Sequence, residues 1–193
     1  LDPLDMDPTA RDRGILLHGV LDEFLNGHPT LAPEAQQALI ELGRVRFKEL
    51  LDRPAERAFW WPRFERVARW FVATQIERQA QRIGLALTEA KGAMRLRGPA
   101  GDFVVTALAD RLDRLADGTM DIIDYKTGTA PPIEEGAAGY APQLPLEALI
   151  VQSEAGFATL GRAKVSQLSY WRLRGSQDGG EIEELLRQRK LQE

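Results

Sequence analysis

At Gly84 the chain changes period, and that change limits the folds open to it. Before Gly84, apolar residues recur at helical spacing: Leu17, Leu21, Phe24 and Leu25, then Leu39, Leu42, Val45 and Leu50, then Trp60, Phe64, Val67, Phe71 and Ile76. After it, short runs alternate at strand spacing between Gly- and Asp-rich turns. The spacing predicts a helix from Pro8, capped by Asp7, to Leu25 before Asn26-Gly27. It predicts a second from Pro33 to Leu51 and a third from Pro54 to Arg82, bent at Pro62. Strands follow over Leu85–Arg97, weakened by Gly92, then Phe103–Leu115 and Thr119–Lys126. Thr127–Gly139 reads as loop, and Pro142 opens a helix to about Glu154. Val165–Arg174 reads as a last strand and Glu181–Lys190 as a charged terminal helix. Helices, a three-strand meander, a crossover helix and a further strand make an α/β fold, a mixed sheet with helical cover.

The composition excludes several classes. The chain has 193 residues and a net charge of -4, which argues against coating nucleic acid by bulk charge but not against a local basic groove. With no cysteine, a thiol nucleophile, a disulfide or a Cys-ligated zinc or iron–sulfur centre is excluded within these residues. No apolar run is long enough to cross a bilayer, and no signal peptide is visible. Leu1 in place of Met, followed by Asp2-Pro3-Leu4-Asp5, reads as a linker entering a helix, as expected of a domain within a longer protein.

The run Met120-Asp121-Ile122-Ile123-Asp124-Tyr125-Lys126 carries the chemistry. Residues i and i+2 of a strand share a face, so Asp124 and Lys126 project together. Asp110 ends the alternation Val104, Thr106, Leu108 one strand earlier. The tight turn Ala116-Asp117-Gly118 makes the two strands antiparallel neighbours, so Asp110 can lie opposite Asp124, but alternation alone leaves the register open. A carboxylate pair holds a divalent cation and a neighbouring ammonium positions water, the equipment of metal-assisted hydrolysis. The alternative is a half-exposed sheet end with solvated charges. Asp113 and Asp121 have the opposite parity and are expected to face away, pairing with Arg111 or Arg114. Glu89 could add a carboxylate or lie at the surface. Gln143 could bond a phosphate or be an ordinary polar residue at a helix start. His18, at the edge of an apolar stripe, reads by itself as structural, and His28 as part of a turn. Arg63, Arg66 and Arg69 recur at i+3 among Trp60, Trp61 and Trp70; a salt-bridged solvent face over core tryptophans is preferred to base stacking or phosphate contact.

In order, Arg13-Gly14-Ile15-Leu16-Leu17-His18, Ala109-Asp110-Arg111-Leu112-Asp113, Asp124-Tyr125-Lys126-Thr127-Gly128 and Gln143-Leu144 resemble the RecB-like branch of the PD-(D/E)XK nucleases. The likeness covers about Arg11 to Arg174. It extends to the C-terminal nuclease domains of alphaproteobacterial AddB-type subunits through Leu1–Asp5, Phe59–Arg66 and Ala141–Glu147. The resemblance implies a restriction-endonuclease-like sheet with an N-terminal helical segment: a nuclease domain over 1–175, helical over 1–84 and carrying the catalytic sheet over 85–175, with a charged tail over 176–193. It implies that Asp110, Asp124, His18 and the Tyr125 main-chain carbonyl hold Mg²⁺ or Mn²⁺. Lys126 would then orient the attacking water, and Gln143 would be the polar residue of the downstream motif. It further implies a cytoplasmic deoxyribonuclease, an exonuclease acting on single-stranded DNA ends in double-strand break repair, with an AddA-type helicase subunit and the rest of an AddB chain as partners and no membrane. The alternative within the same fold is a module that binds DNA or docks a helicase without cutting. The sequence departs from the family at Glu147, near where an aromatic usually follows Gln-Leu, and it lacks the four cysteines that hold an iron–sulfur cluster in some AddB-type and related domains.

Overall fold

The computed structural model describes residues 9–99, 101–129, 131–132, 140–154, 156–157 and 159–187. The chain forms two compact units. One comprises Leu1–Ile76 with Lys126–Gly128 and Leu173–Glu181; the other comprises Glu77–Tyr125, Thr129–Arg172 and Ile182–Glu193.

The first unit is built on α1 (Ala10–Gly27), α2 (Ala35–Arg46), α3 (Lys48–Leu51), α4 (Pro54–Phe59) and most of α5 (Trp61–Ala80). The expected cap, Asp7 and Pro8, lies outside the described residues. Within them, Thr9 caps α1: its hydroxyl accepts from the Asp12 N–H at 3.2 Å, and the Asp12 carboxylate accepts from the Thr9 N–H at 2.8 Å. Leu17, Leu21, Phe24 and Leu25 are buried as the helical spacing predicts. The expected second and third helices are each broken. Phe47, fully buried against Trp60 and Phe64 with ring centroids 4.2 Å and 5.0 Å away, interrupts the second. Trp60 separates α4 from α5, and Pro62 falls in the first turn of α5, where its missing N–H costs nothing. Val45, expected inward, is 71% exposed. Its place in the stripe is taken by Gly43, where any side chain would collide with the Phe64 ring. His28 closes α1, its Nδ1 2.9 Å from the Phe24 carbonyl oxygen.

The second unit carries a five-stranded sheet in the order β1 (Gly84–Gly98), β2 (Gly101–Arg114), β3 (Met120–Lys126), β4 (Val165–Arg172), β5 (Glu181–Arg187). The first three form an antiparallel meander. The Met120 N–H donates to Lys164 O and the Leu173 N–H to Lys126 O, each at 2.8 Å, so β4 runs parallel to β3. That connection needs a crossover, and α6 (Gln143–Val151) supplies it. Leu144, Ala148 and Val151 of α6 pack on Leu112, Met120 and Ile122 to form the core on one face of the sheet. Gly92 does not weaken β1 but permits its packing: an added Cβ would lie 2.7 Å from the Phe157 ring and 2.8 Å from Ile150.

The opposite face of the sheet is held by charge. Arg111 donates to Asp113 at 2.7 Å, and Arg78 donates to Asp113 at 2.8 Å and to Asp121 at 2.9 Å. Both guanidiniums sit 5.3 Å from the Trp171 ring. Asp113 and Asp121 thus face away from Asp110 and Asp124 as their parity predicts; Asp113 pairs with Arg111 as expected, and both acids are fully buried. Burial pushes Asp121 up to about 6 against the pull of Arg78.

The C-terminal segment corrects the sequence reading. Glu181–Arg187 is a strand, not a helix. Its glutamates favour helix, but they find partners across the sheet: Arg172 pairs with Glu183 at 2.6 Å and Gln167 donates to Glu184 at 3.2 Å, while Leu185 packs on the core. Pairing with an open sheet edge outweighs a propensity worth tenths of a kcal/mol per residue. The rest of the expected helix, residues 188–190, lies outside the described residues.

Candidate metal centre

Three acids occupy one row across β1, β2 and β3. The β2–β3 ladder pairs Arg114 with Met120, Asp113 with Asp121, Leu112 with Ile122 and Arg111 with Ile123. The next residues on each strand are Asp110 and Asp124. There the ladder stops, and the Asp110 carboxylate accepts the Tyr125 N–H at 2.8 Å. A side chain thus satisfies the first backbone donor past the last paired residues, and the interaction joins Asp110 to the strand between Asp124 and Lys126. This settles the register that alternation left open.

On the other side, β1 pairs Thr88 with Arg111 and Ala90 with Ala109, so Glu89 stands opposite Asp110. Their carboxylate oxygens lie within 4.8 Å of each other. Glu89 has φ 44°, a left-handed conformation that a non-glycine residue adopts at a cost of about 1–2 kcal/mol. The sequence reading left Glu89 undecided between site and surface. Its sequence signal was a lone carboxylate among small and apolar residues of the strand.

Asp124 is 2% exposed and shares its face with the fully buried Ile122, so a solvated strand end does not describe it. The Tyr170 phenol is held above its usual range first by burial and then by the charges of Asp124 and Glu147. Glu147, on α6, is itself 1% exposed and accepts from the Gln143 amide at 3.3 Å. Gln143 is therefore tied to its own helix and exposed at its start. The Tyr125 side chain points to the arginine face, where its hydroxyl accepts from Arg111 at 3.3 Å; burial pushes the phenol up to about 12. Lys126 ends β3 half-buried, and its carbonyl is fixed by the Leu173 N–H. His18 lies half-buried on α1, one turn beyond Gly14.

The donor set on the sheet suits a hard divalent cation. Oxygen ligands bind Mg²⁺ at about 2.1 Å and Ca²⁺ at 2.3–2.6 Å, so opposed ligands stand roughly 4–5 Å apart. Glu89 and Asp110 meet that separation with at most a small rotamer adjustment.

Residues 2–193 match the family model of the PD-(D/E)XK nuclease superfamily. The chain belongs to that superfamily. PD-(D/E)XK members are phosphodiester-cleaving nucleases that use divalent metals, and the mixed sheet with flanking helices fits their restriction-endonuclease-like fold. Similar proteins include an uncharacterized protein of Rickettsia conorii, 29% identical over 157 residues, covering 78% of this chain and 18% of the relative. One of Rickettsia bellii is 28% identical over 159 residues, covering 81% of this chain and 19% of the relative. The chain thus spans about a fifth of the length of these relatives. The crystal structure of SSO0001 aligns at 13% identity and a TM-score of 0.32, over 91% of this chain and 79% of that one. Among the described residues, no helix is long and apolar enough to cross a membrane.

Proposed function

We propose that this domain is a Mg²⁺- or Mn²⁺-dependent deoxyribonuclease that hydrolyses phosphodiester bonds by direct attack of water. The observation that supports it most is the Asp110 carboxylate bonded to the Tyr125 N–H, which binds one acid to the strand between another acid and a lysine. Asp110 and Asp124 hold the cation, with the Tyr125 carbonyl and His18 as further ligands and Glu89 as an additional carboxylate. A bound divalent cation supplies polarisation of a phosphate oxygen and a lowered pKa for a nearby water. The Lys126 ammonium orients that water and offsets the negative charge that grows on the phosphate. Water oxygen forms the new P–O bond, the bond to the departing sugar oxygen breaks, and a proton passes to that oxygen. Gln143 assists by bonding a phosphate oxygen from the start of α6.

The same reading makes the domain an exonuclease on single-stranded DNA ends, working in the cytoplasm as part of an AddAB-type helicase–nuclease. An AddA-type helicase subunit and the remainder of an AddB-like chain would deliver the strand. The AddB part rests on sequence resemblance in the motif segments.

Incubation with labelled single-stranded DNA tests the proposal. Cleavage should require Mg²⁺ or Mn²⁺ and stop with EDTA. A folded sample that binds the DNA but leaves it intact with either metal would instead identify a non-cleaving DNA-binding or helicase-docking module.

A further inference from the structure

In the first unit, α1, α5 and the turn after β3 enclose a cavity of about 160 Å³. Its walls include Arg13, Trp60, Arg63, Thr127 and Arg174. We propose that this cavity is a phosphate subsite for the DNA strand, holding a phosphate adjacent to the one being cut. The inference rests on the nuclease reading and adds to it a second contact with the substrate.

The lining carries three guanidiniums and no carboxylate. Glu56 pairs with Arg13 at 3.2 Å and neutralises one of them. Among the described residues, neither Arg63 nor Arg174 has a carboxylate partner. Arg63 instead lies over the Phe59 ring at 4.0 Å, and the Arg174 Nε donates to the Gly128 carbonyl at 3.2 Å. Both heads are thus oriented by contacts that leave their charge uncompensated. Two oriented guanidinium forks beside one cavity are suited to phosphate oxygens.

The Thr127 hydroxyl supplies a further donor, and the helix is shaped to receive it. A Cβ on Gly14 would stand 3.1 Å from Thr127 Oγ1, so glycine lets the hydroxyl sit against α1. The volume decides the size of the occupant: small-molecule sites usually enclose about 300–1,000 Å³. This cavity takes a phosphate and not a nucleoside. Its place along the strand follows from the chain. Thr127 is one peptide step, about 3.8 Å, from Lys126. The Arg63, Arg66, Arg69 series therefore divides. Arg66 holds the Gly175 carbonyl at 2.8 Å, Arg69 is exposed away from the cavity lining, and Arg63 lines it.

The test measures binding of a fluorescein-labelled single-stranded oligonucleotide, in Ca²⁺, against KCl concentration. Each lost phosphate contact lowers the slope of log K on log salt by about 0.7 for single strands. The doubly substituted Arg63→Gln/Arg174→Gln chain should bind about tenfold more weakly, with the slope reduced by at least that amount. Arg69→Gln removes one positive charge outside the cavity, where the double substitution removes two beside it, and should leave the slope unchanged. Arg174→Lys, which keeps the charge at an exposed position, should retain most of it. Oligonucleotides with and without a 5′-phosphate separate an internal phosphate, where the loss is the same on both, from a terminal one, where it appears only on the phosphorylated strand. Equal effects of Arg69→Gln and the double substitution, or no effect of either, overturn the subsite even if the wild-type chain cuts DNA. A slope that falls only in the double variant supports the subsite even if no metal yields cleavage. Absence of any DNA binding overturns both readings.

Discussion

Glu89 and Asp121 are carboxylates on one sheet with opposite fates. Glu89 holds a strained φ of 44° opposite Asp110, where a glycine would sit without steric strain, at an entropic cost of about 0.5–1 kcal/mol. Glu89→Gly should therefore keep or raise the melting temperature while weakening Mn²⁺ binding about tenfold, as measured by calorimetry. A drop in stability with metal affinity unchanged would make Glu89 a structural residue. Asp121 shares Arg78 with Asp113 in a fully buried cluster and titrates near 6, mainly because of burial. Its folded pKa lies above the ordinary 3.8, so the folded chain binds this proton more tightly. The stability linked to it is complete below about pH 4 and is lost as pH rises through about 6. Asp121→Asn removes that dependence. The variant should gain on the wild type by ~1–3 kcal/mol between pH 4 and pH 7 in urea unfolding. A difference that does not change with pH would contradict this account of Asp121.

At the scale of elements, β1 depends on a close approach that only glycine allows. A Cβ at Gly92 would lie 2.7 Å from Phe157 and 2.8 Å from Ile150, both fully packed side chains. Gly92→Ala should cost about 1–3 kcal/mol by overpacking, which for a chain of this size is a loss of roughly 2–12 °C in thermal unfolding. An unchanged melting temperature would show that the contact relaxes freely. The same elements show what the sequence could and could not reveal. The α1 stripe and the meander were legible because burial on one face imprints a period of 3.6 or 2. Val45 was misread because the inward position beside it is a glycine, which leaves no apolar mark although Phe64 fills the space. The terminal strand was misread because Glu183 and Glu184 look helical in isolation, and their partners Arg172 and Gln167 lie on another strand. Alternation put Asp124 and Lys126 on one face and Asp113 and Asp121 on the other. It could not show that Asp110 faces Asp124, because that depends on where the ladder ends and a carboxylate takes over a backbone donor.

At the scale of the whole molecule, the proposed chemistry is concentrated on the strand that ends in Lys126. The proposed chemistry divides along that strand: Asp110 and Asp124 bind the cation, and Lys126 acts on water and phosphate. The two roles can be separated by substitution. The most direct measurement is single-turnover cleavage of single-stranded DNA with Mn²⁺ by the wild-type, Lys126→Ala and Asp124→Ala chains, with Mn²⁺ affinity followed in parallel. Lys126→Ala should slow cleavage by about 10²–10³-fold, the size of one lost electrostatic contact to the transition state, and still bind Mn²⁺. Asp124→Ala should lose both cleavage and most of the metal affinity. Wild-type cleavage rates in both variants would contradict the assignment of this strand end as the catalytic centre.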